Sequence, residues 1–489
     1  MSKSNFIFGI DVGTSTTAAS YYNTNQKILA SQSLHGQTIF PSIVKDNGKE
    51  VINFKIHFWH TDNPSKETIS YMANWLLWLR DGLKDVYKDG FNEHIYCFTY
   101  PAQRQAILSK YQNIIKDVGF PISKNSVRAL VVEEPIAAAL SYLKESQNKP
   151  GLGIVLDIGA GTTDISIIEI QGENQIHIHD ASSMDIAGNV CTQKMKDLIV
   201  DKGLHNDFEK LIKTNQRAID GIKEMFSDYY SEEENREEAF SFKSNGIKFK
   251  STFDQFTESM VPIWGDINKL ISERLKIKGI DVSDLDFIYG VGGGVMHNGL
   301  WNLVEKTYGE KAFRSNEARY AVARGAALHA AAATSSYRES KGSKEEQKIE
   351  VSYQIGKDVK VAFPDDTEQH PVTIFNKESL FKLGQRVDGS FPICLQSNIL
   401  FPEGDAIIEI EGFEPITIGE IDINWYGGDE NDNHGGDIKW SFFPDEGRLT
   451  VSAKLDRTKI NTEGYTIIGE VTISVTPSGS YKCTLPDMN

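Results

Sequence analysis

No stretch of the sequence is apolar for long enough to cross a bilayer, and no signal-peptide core follows Met1, because Phe6-Ile7-Phe8 runs straight into a polar, glycine-containing turn. A soluble, cytoplasmic protein with no membrane partner is expected. Cysteine is scarce: Cys97, Cys191, Cys394 and Cys483 lie too far apart for a CxxC zinc site or a dense disulfide frame, so they read as scattered reduced thiols. Positive charge is in deficit, with 51 Lys and Arg against 68 Asp and Glu and a net charge of −17. That balance argues against a general nucleic-acid binder, which needs a basic face. There is no GxxxxGK[ST], which excludes a P-loop, and no GxGxxG after a strand, which argues against a Rossmann dinucleotide site. GGDENDNHGGD (Gly427–Asp437) has His434 and Trp440 where an EF-hand starting at Asp429 needs Gly and Glu, so it reads as a solvated loop. His177 and His179 alternate on a predicted strand, but no third metal ligand is evident, and a solvent-facing strand edge is expected.

What the sequence does contain is a motif that occurs twice. Ile154–Ile168 reads IVLDIGAGTTDISII: an apolar run reaches Asp157, breaks at Gly159-Ala160-Gly161, offers Thr162 and Thr163, and resumes its apolar alternation. This predicts two strands joined by a tight turn. Glycine at the bend leaves backbone N–H groups free to approach an anion, and a carboxylate at the end of a buried strand calls for a counter-charge. The earlier segment GIDVGTSTTAAS repeats the pattern, with Asp11, Gly13, Thr16, Thr17 and Ser20 identical to Asp157, Gly159, Thr162, Thr163 and Ser166. Two such hairpins in register suggest an internal duplication. The geometry it implies is two related lobes, each aiming a phosphate-cradling hairpin into one cleft, with Asp11 and Asp157 on a divalent cation.

A length of 489 residues suits about three domains. Val51–Trp59 reads as a strand carrying Lys55, for which two readings stand, a solvent-facing lysine and a functional cation. Met72, Trp75, Leu76 and Leu79 recur at helical spacing and are core residues. Glu134 precedes Pro135 at a strand-to-helix junction, which suits either a functional carboxylate or an acid favoured by the helix macrodipole. The region from Leu204 to Arg274 reads as largely helical, and Asp284–Val304 as a strand, a Gly292-Gly293-Gly294 turn and a helix. From Ser335 to Glu350 the composition turns polar and charged without periodicity, marking a linker. Beyond it, alternation such as Leu449, Val451, Ala453 and Leu455 predicts a β-sandwich-like module.

In order along the chain, the first hairpin, the Lys55 segment, YPAQRQA, EEPIAAAL, the second hairpin, the VGGG turn and the ARGAA helix resemble the nucleotide-binding domain of the seventy-kilodalton heat-shock chaperones, in the actin-like ATPase superfamily. The likeness covers roughly residues 5–332, and IKWSFFPDEGRLTVSAKLDRT is similar to that family's peptide-binding β-sandwich. The resemblance implies an α/β fold: a duplicated, actin-like (ribonuclease H-like) ATPase domain of two lobes at 1–334, a charged linker at 335–350 and a β-sandwich substrate-binding-like domain at 351–489. It implies ATP/ADP and Mg2+ as ligands, with Asp11 and Asp157 holding magnesium through water. Gly13, Thr14 and Ser15, with Gly159, Ala160, Gly161 and Thr162, would wrap the phosphates, and Gly188 belongs to the same nucleotide-binding set. Lys55 would orient the attacking water, with Glu134, Asp157 and Asp164 completing a slow hydrolytic site. Asp220 and Lys223 match the pair that faces adenosine, and Gly292 and Gly293 match the turn beneath it.

The sequence departs from the family at Gly294 and Met296, where a serine and an adenine-stacking arginine are usual, at Ala160 in place of a glycine, and in its charged linker. No helical lid is expected after the β module. The expected function is an ATP-hydrolysing, chaperone-like switch that takes an extended polypeptide client and possible co-chaperones, with no nucleic acid. Two alternatives remain, a non-catalytic nucleotide-sensing scaffold and a sugar kinase of the same superfamily. A VGGG turn near residue 292 followed by a β module counts against the kinase.

Overall fold

The computed structural model describes residues 6–61, 63–102, 105–121, 130–146, 149–172, 174–202, 216–244, 247–340, 351–362, 371–382, 386–393, 404–411, 414–421, 436–443, 448–456, 465–474 and 481–484. Within them the chain is mixed α/β, with several separate sheets.

The first sheet grows from the first hairpin. Strands β1 (Phe6–Val12) and β2 (Thr16–Asn23) pair antiparallel with Asp11 opposite Ala18. β3 (Ile28–Ser31) and β4 (Ile39–Pro41) add to β2, and β5 (Val44–Asp46) and β6 (Lys49–Val51) make a separate ribbon. β7 (Ile95–Tyr100) lies parallel to β1, and β8 (Leu130–Glu133) parallel to β7. Helices α1 (Phe54–Trp59), α2 (Lys66–Tyr87) and α3 (Gln105–Asp117) share a core with this sheet, in which Phe8, Ile10, Phe58, Leu76, Phe98 and Leu108 are fully buried.

The predicted strand at Val51–Trp59 is a correction: only Val51 belongs to a strand, and Lys55 lies on α1. Asn53 takes the left-handed conformation (φ 58), which turns the chain out of the ribbon. Burial then falls on Phe54, Lys55, Phe58 and Trp59, an i, i+4 pattern that alternation had mimicked.

The second sheet repeats the arrangement. β9 (Gly151–Ile158) and β10 (Thr163–Gly172) pair antiparallel with Asp157 opposite Asp164, and β11 (Gln175–Met184) follows β10. After a ribbon of β12 (Phe240–Ser244) and β13 (Ile247–Ser251), β14 (Phe287–Val291) runs parallel to β9, and β15 (Ala312–Arg314) parallel to β14. That ribbon interrupts the region expected to be largely helical, and residues 203–215 lie outside the described residues.

Between α4 (Glu134–Glu145) and the ribbon come α5 (Gly188–Lys202) and α6 (Gln216–Tyr229); α7 (Phe253–Lys278) and α8 (Asn298–Tyr308) follow it. Both ends of α7 are fixed by local sequence. Thr252 and Gln255 form a reciprocal capping box, and Gly279 ends the helix at φ 68. Ile154, Leu156, Phe226, Phe256, Ile267 and Trp301 form the core between these helices and the sheet.

Where the sheets approach, α4 packs on α9 (Ala321–Ser340) through small residues, with Ala137, Ala138, Ala326 and Ala327 all fully buried. A Cβ at Gly325 would stand 1.6 Å from the Ala137 carbonyl oxygen, and one at Gly9 would stand 2.0 Å from that of Ala323. Only hydrogen fits at either place.

Helix α9 runs through Ser340, so the opening residues of the charged stretch are helical, while 341–350 lie outside the described residues. Every described element after α9 is a strand: β16 (Val351–Gln354), β17 (Val359–Ala362), β18 (Val372–Phe375), β19 (Leu380–Lys382), β20 (Val387–Ile393), β21 (Gly404–Ile410), β22 (Ile416–Ile421), β23 (Gly436–Phe443), β24 (Arg448–Asp456), β25 (Tyr465–Ser474) and β26 (Tyr481–Thr484). β18-β17-β21-β22 and β20-β23-β24-β25 form two four-stranded antiparallel sheets whose Val359, Val361, Ile408, Phe442, Leu449 and Val451 share one core.

The remaining three strands extend the second sheet of the front half into the order β15-β14-β9-β10-β11-β26-β16-β19. β11 is therefore an interior strand rather than the expected edge, paired with β10 on one side and β26 on the other. Cys97 and Cys191 are buried free thiols, Cys483 sits on β26, and Cys394 and residues 427–435 of the aspartate-rich segment lie outside the described residues. No helix among the described residues is long and apolar enough to cross a membrane.

The close approach at Gly325 sets a test. Gly325→Ala is expected to lower stability by about 1–3 kcal/mol through overpacking against α4, read as an earlier denaturant midpoint. An unchanged midpoint contradicts the α4–α9 contact.

Candidate functional site

The two hairpin turns, the start of α1, the start of α4, the start of α5, α6 and the glycine turn after β14 enclose one cavity of about 440 Å³. Each turn is tied down locally. In the first, Ser42 donates from Oγ to the Gly13 carbonyl at 2.7 Å, and Thr17, which accepts from Trp75 Nε1 at 3.0 Å, lies 3.0 Å from the same hydroxyl. In the second, Gly159 N–H donates to the Thr162 carbonyl at 2.9 Å, and Thr163 Oγ1 donates to that of Ile186 at 2.6 Å. The hairpins nearly touch, since a Cβ at Gly161 would lie 2.5 Å from Thr14 Oγ1 and 2.8 Å from Ile56 Cδ1. A Cβ at Gly292, whose φ is +85, would lie 2.2 Å from Asp157 Oδ1. The glycines therefore present bare backbone to the cavity.

Four carboxylates and one ammonium meet there. Lys55 Nζ donates to Glu134 Oε1 in a short ion pair, both side chains being buried. Ser166 Oγ donates to the Pro135 carbonyl at 2.7 Å, which holds the start of α4, and hence Glu134, against β10. Thr99 donates to Asp11 Oδ1 at 3.1 Å, and Thr162 to Asp164 Oδ2 at 3.1 Å.

Desolvation dominates the electrostatics. It raises Asp11 to about 6, with Lys55 pulling down and Glu134 pushing up, and it raises Asp164 to about 7 with Glu134 adding to it. Asp157 is held well above the ordinary carboxylate range by burial and then by Asp164 and Asp11. Burial opposes the charge on Lys55, but Glu134 and Asp11 outweigh it and lift its pKa above the usual lysine value. At the Lys55 end of the cleft one cation facing four carboxylates leaves positive charge in deficit, which can be relieved by protons or by a bound cation. Asp11 and Asp157 flank the glycine turns and suit a hydrated divalent ion. The turns suit the polyphosphate that such an ion accompanies.

α5 begins against the second turn, with Gly188 N–H donating to Gly159 O at 3.0 Å and Asn189 N–H to Ala160 O at 2.7 Å, so its positive N-terminal end adjoins the phosphate-sized region. At the far end Thr192, Asp220 and Lys223 interlock. Thr192 Oγ1 donates to Asp220 Oδ1 at 2.6 Å, and Lys223 Nζ donates to Thr192 Oγ1 at 2.7 Å and to Asp220 Oδ1 at 3.2 Å. His297 is stacked on Phe256 at 4.4 Å, and neither of its buried ring nitrogens has a partner among the described residues; nor does the buried Ser227 hydroxyl. Burial holds the His297 imidazole neutral, down at about 3. Met296 is 45% exposed at the rim, and Arg319 pairs with Glu224 at 3.7 Å there.

Every residue that the family resemblance assigns to the nucleotide site lines this cavity: Lys55, Glu134, Asp157 and Asp164; Asp11, Gly13, Thr14 and Ser15; Gly159, Ala160, Gly161, Thr162 and Gly188; Asp220 and Lys223; Gly292, Gly293, Gly294 and Met296. Sequence reasoning missed Thr99, Asn189, Thr192, Ser227, His297 and Arg319. The six are polar residues at unremarkable spacings. His297, next to Met296 after the glycine turn, carried the one available signal.

A family model described as "Hsp70 protein" matches residues 102–358 of this chain. The chain is 23% identical over 362 residues to a "Chaperone protein DnaK" of Ureaplasma urealyticum, covering 66% of this chain and 58% of that one. It is 26% identical over 211 residues to a protein of the same name in Mycoplasmopsis agalactiae, covering 41% and 35%. It is also 26% identical over 222 residues to an "Iron-sulfur cluster biogenesis chaperone, mitochondrial" of Saccharomyces cerevisiae, covering 44% and 33%. The chain spans less than three fifths of the length of these curated relatives.

The charge imbalance predicts a pH signature. Asp11 and Asp164 keep their protons in the folded chain up to about 6 and 7 but release them near 3.8 once unfolded. The folded state thus binds more protons across that window, and metal-free stability falls as pH rises through it. Asp164→Asn removes part of this fall. In EDTA its thermal midpoint is expected to exceed that of the wild type at pH 8, with the gap shrinking toward pH 5. A gap independent of pH contradicts the assignment.

Proposed function

Because the chain belongs to the Hsp70 protein family, we propose that it is an ATP-binding and ATP-hydrolysing chaperone-like switch. Residues 1–334 form the nucleotide-binding ATPase domain, an actin-like pair of duplicated lobes. Residues 335–350 link it to a β-sandwich-like module at 351–489 that binds an extended polypeptide client and is a target for co-chaperones. The protein works in the cytoplasm.

The observation that carries this reading is the convergence of two related Asp-Gly hairpins on one cavity rich in carboxylate. Asp11 and Asp157 end equivalent strands, and each lobe pairs its hairpin antiparallel and then adds a parallel strand, β7 in one and β14 in the other. The near-contact of Gly161 with Thr14 brings the two turns together at one end of the cavity.

Asp11 and Asp157 would hold magnesium through water, and the ion supplies charge neutralisation on the phosphate oxygens when bound. The chain's own residues do the positioning. Gly13, Thr14, Ser15, Gly159, Ala160, Gly161 and Thr162 offer backbone and hydroxyl donors to phosphate, and the α5 terminus at Gly188 adds its dipole. Lys55, locked to Glu134, orients the attacking water and faces the negative charge that develops on transfer. Asp164, with a pKa raised to about 7, sits where a proton acceptor works best near neutral pH. Asp220 and Lys223 hold the ribose side, and Gly292, Gly293, Gly294 and Met296 form the floor under the base. Peptide capture by strand addition suits a module built of two antiparallel sheets.

A nucleotide-sensing scaffold is the second reading. It is favoured by the exposed Met296 at the position where the family has an adenine-stacking arginine.

Phosphate release from magnesium ATP by the full chain separates the two. Lys55→Met and Glu134→Gln are each expected to lower kcat by about 100-fold while nucleotide still binds, with circular dichroism confirming the fold. Undiminished turnover in both variants removes the hydrolytic mechanism. Binding without wild-type turnover establishes the scaffold.

A further inference from the structure

On the second sheet, well away from the cavity, three metal-ligating side chains converge. His177 and His179 project from β11, and Glu169 from the neighbouring β10; His177 Nδ1, His179 Nε2 and a Glu169 carboxylate oxygen all lie within 4.8 Å of one another. Glu169 Oε2 is 3.2 Å from His179 Nε2 and 4.0 Å from His177 Nδ1, and the two imidazole centroids are 4.0 Å apart.

We infer that Glu169, His177 and His179 form a binding site for a divalent transition metal of the zinc type. The register shows how the site is built. Glu169 stands directly opposite His177, so their side chains share a face. Between Ile167 and Ile168 the pairing slips: Ile167 faces Asp180 and Ile168 faces Ile178, which leaves His179 as the extra residue of a β-bulge. A bulge re-aims the side chain it carries, and this one brings the second imidazole to the carboxylate its neighbour already faces.

The donor set is selective. Two neutral imidazoles and one carboxylate suit zinc and its borderline neighbours, whereas magnesium prefers oxygen donors throughout. Donor atoms around zinc at about 2.0–2.1 Å stand roughly 3.3 Å apart, so the 3.2 Å edge already matches and the 4.0 Å edge shortens by less than about 1 Å. Gln171 Nε2 donates to Glu169 Oε2 at 3.0 Å, an outer contact of the kind that orients a metal-binding carboxylate. The side chains are reachable from solvent, at 15% exposure for His177, 28% for His179 and 41% for Glu169. Three protein donors leave a coordination position for water, so the site is open rather than closed.

The test is titration of the full chain, stripped with EDTA and desalted, with zinc chloride by calorimetry. Cobalt(II) absorption in the visible range reports the coordination. One equivalent is expected in the wild type and in Asp157→Asn, which leaves this face untouched. His177→Ala, His179→Ala and Glu169→Gln should each weaken it by at least about 10-fold, and the double histidine variant should lose it, with circular dichroism unchanged. Absence of zinc binding by the wild type overturns the proposal. So does an equivalent that survives undiminished in the double variant.

Discussion

Four carboxylates gathered round a single ammonium group are the constraint on which the rest of this structure depends. Asp157, Asp164 and Glu134 are buried, Asp11 is half-buried, and Lys55 alone opposes them. Left without a partner cation, such a cluster costs free energy that local contacts do not recover, and removing Lys55 would leave the carboxylates worse placed still. The fold holds the group together from several directions. Two hairpins bring the aspartates to the ends of equivalent strands, α1 delivers the lysine, and α4, fastened to β10 by Ser166, delivers the glutamate. The close-packed alanines and Gly325 between α4 and α9 keep the two halves near enough for the turns to meet. Stability is thus given up where the ligand acts and regained in the three apolar cores around it.

Much of this was legible because its signals are local. An apolar run ending in Asp, a glycine bend and paired threonines fit within fifteen residues, and their recurrence marks Asp11 and Asp157. Lys55 shows the limit of such reading. Phe54, Lys55, Phe58 and Trp59 satisfy a helix, while their alternating neighbours satisfy a strand, and the choice was made by Asn53, whose left-handed backbone leaves no mark in apolar periodicity. Thr99 and Thr192 escaped notice for another reason. Each matters only through a carboxylate distant in sequence, Asp11 for one and Asp220 for the other. The same holds for Glu169, separated from His177 by a turn and brought to His179 by a bulge that no spacing rule announces.

The end of the cavity lined by Asp220, Lys223, Met296 and His297 differs in character from the end lined by the two hairpin turns. Asp220, Lys223 and Thr192 hydrogen-bond one another, yet the His297 imidazole and the Ser227 hydroxyl are buried with no partner among the described residues. Unpaired buried polar groups are rare in folded proteins and cluster where a ligand completes them. Met296, a flexible and polarizable side chain at the rim, tolerates a range of flat partners in a way that a fixed guanidinium does not.

The run of strands from β15 to β19 carries a mechanical consequence. With β26 hydrogen-bonded to β11 and β16 hydrogen-bonded to β26, strands from the rear of the chain are laced to the front sheet by main-chain bonds. A force that separates the two must unzip this ladder rung by rung or warp the twisted sheet as a whole.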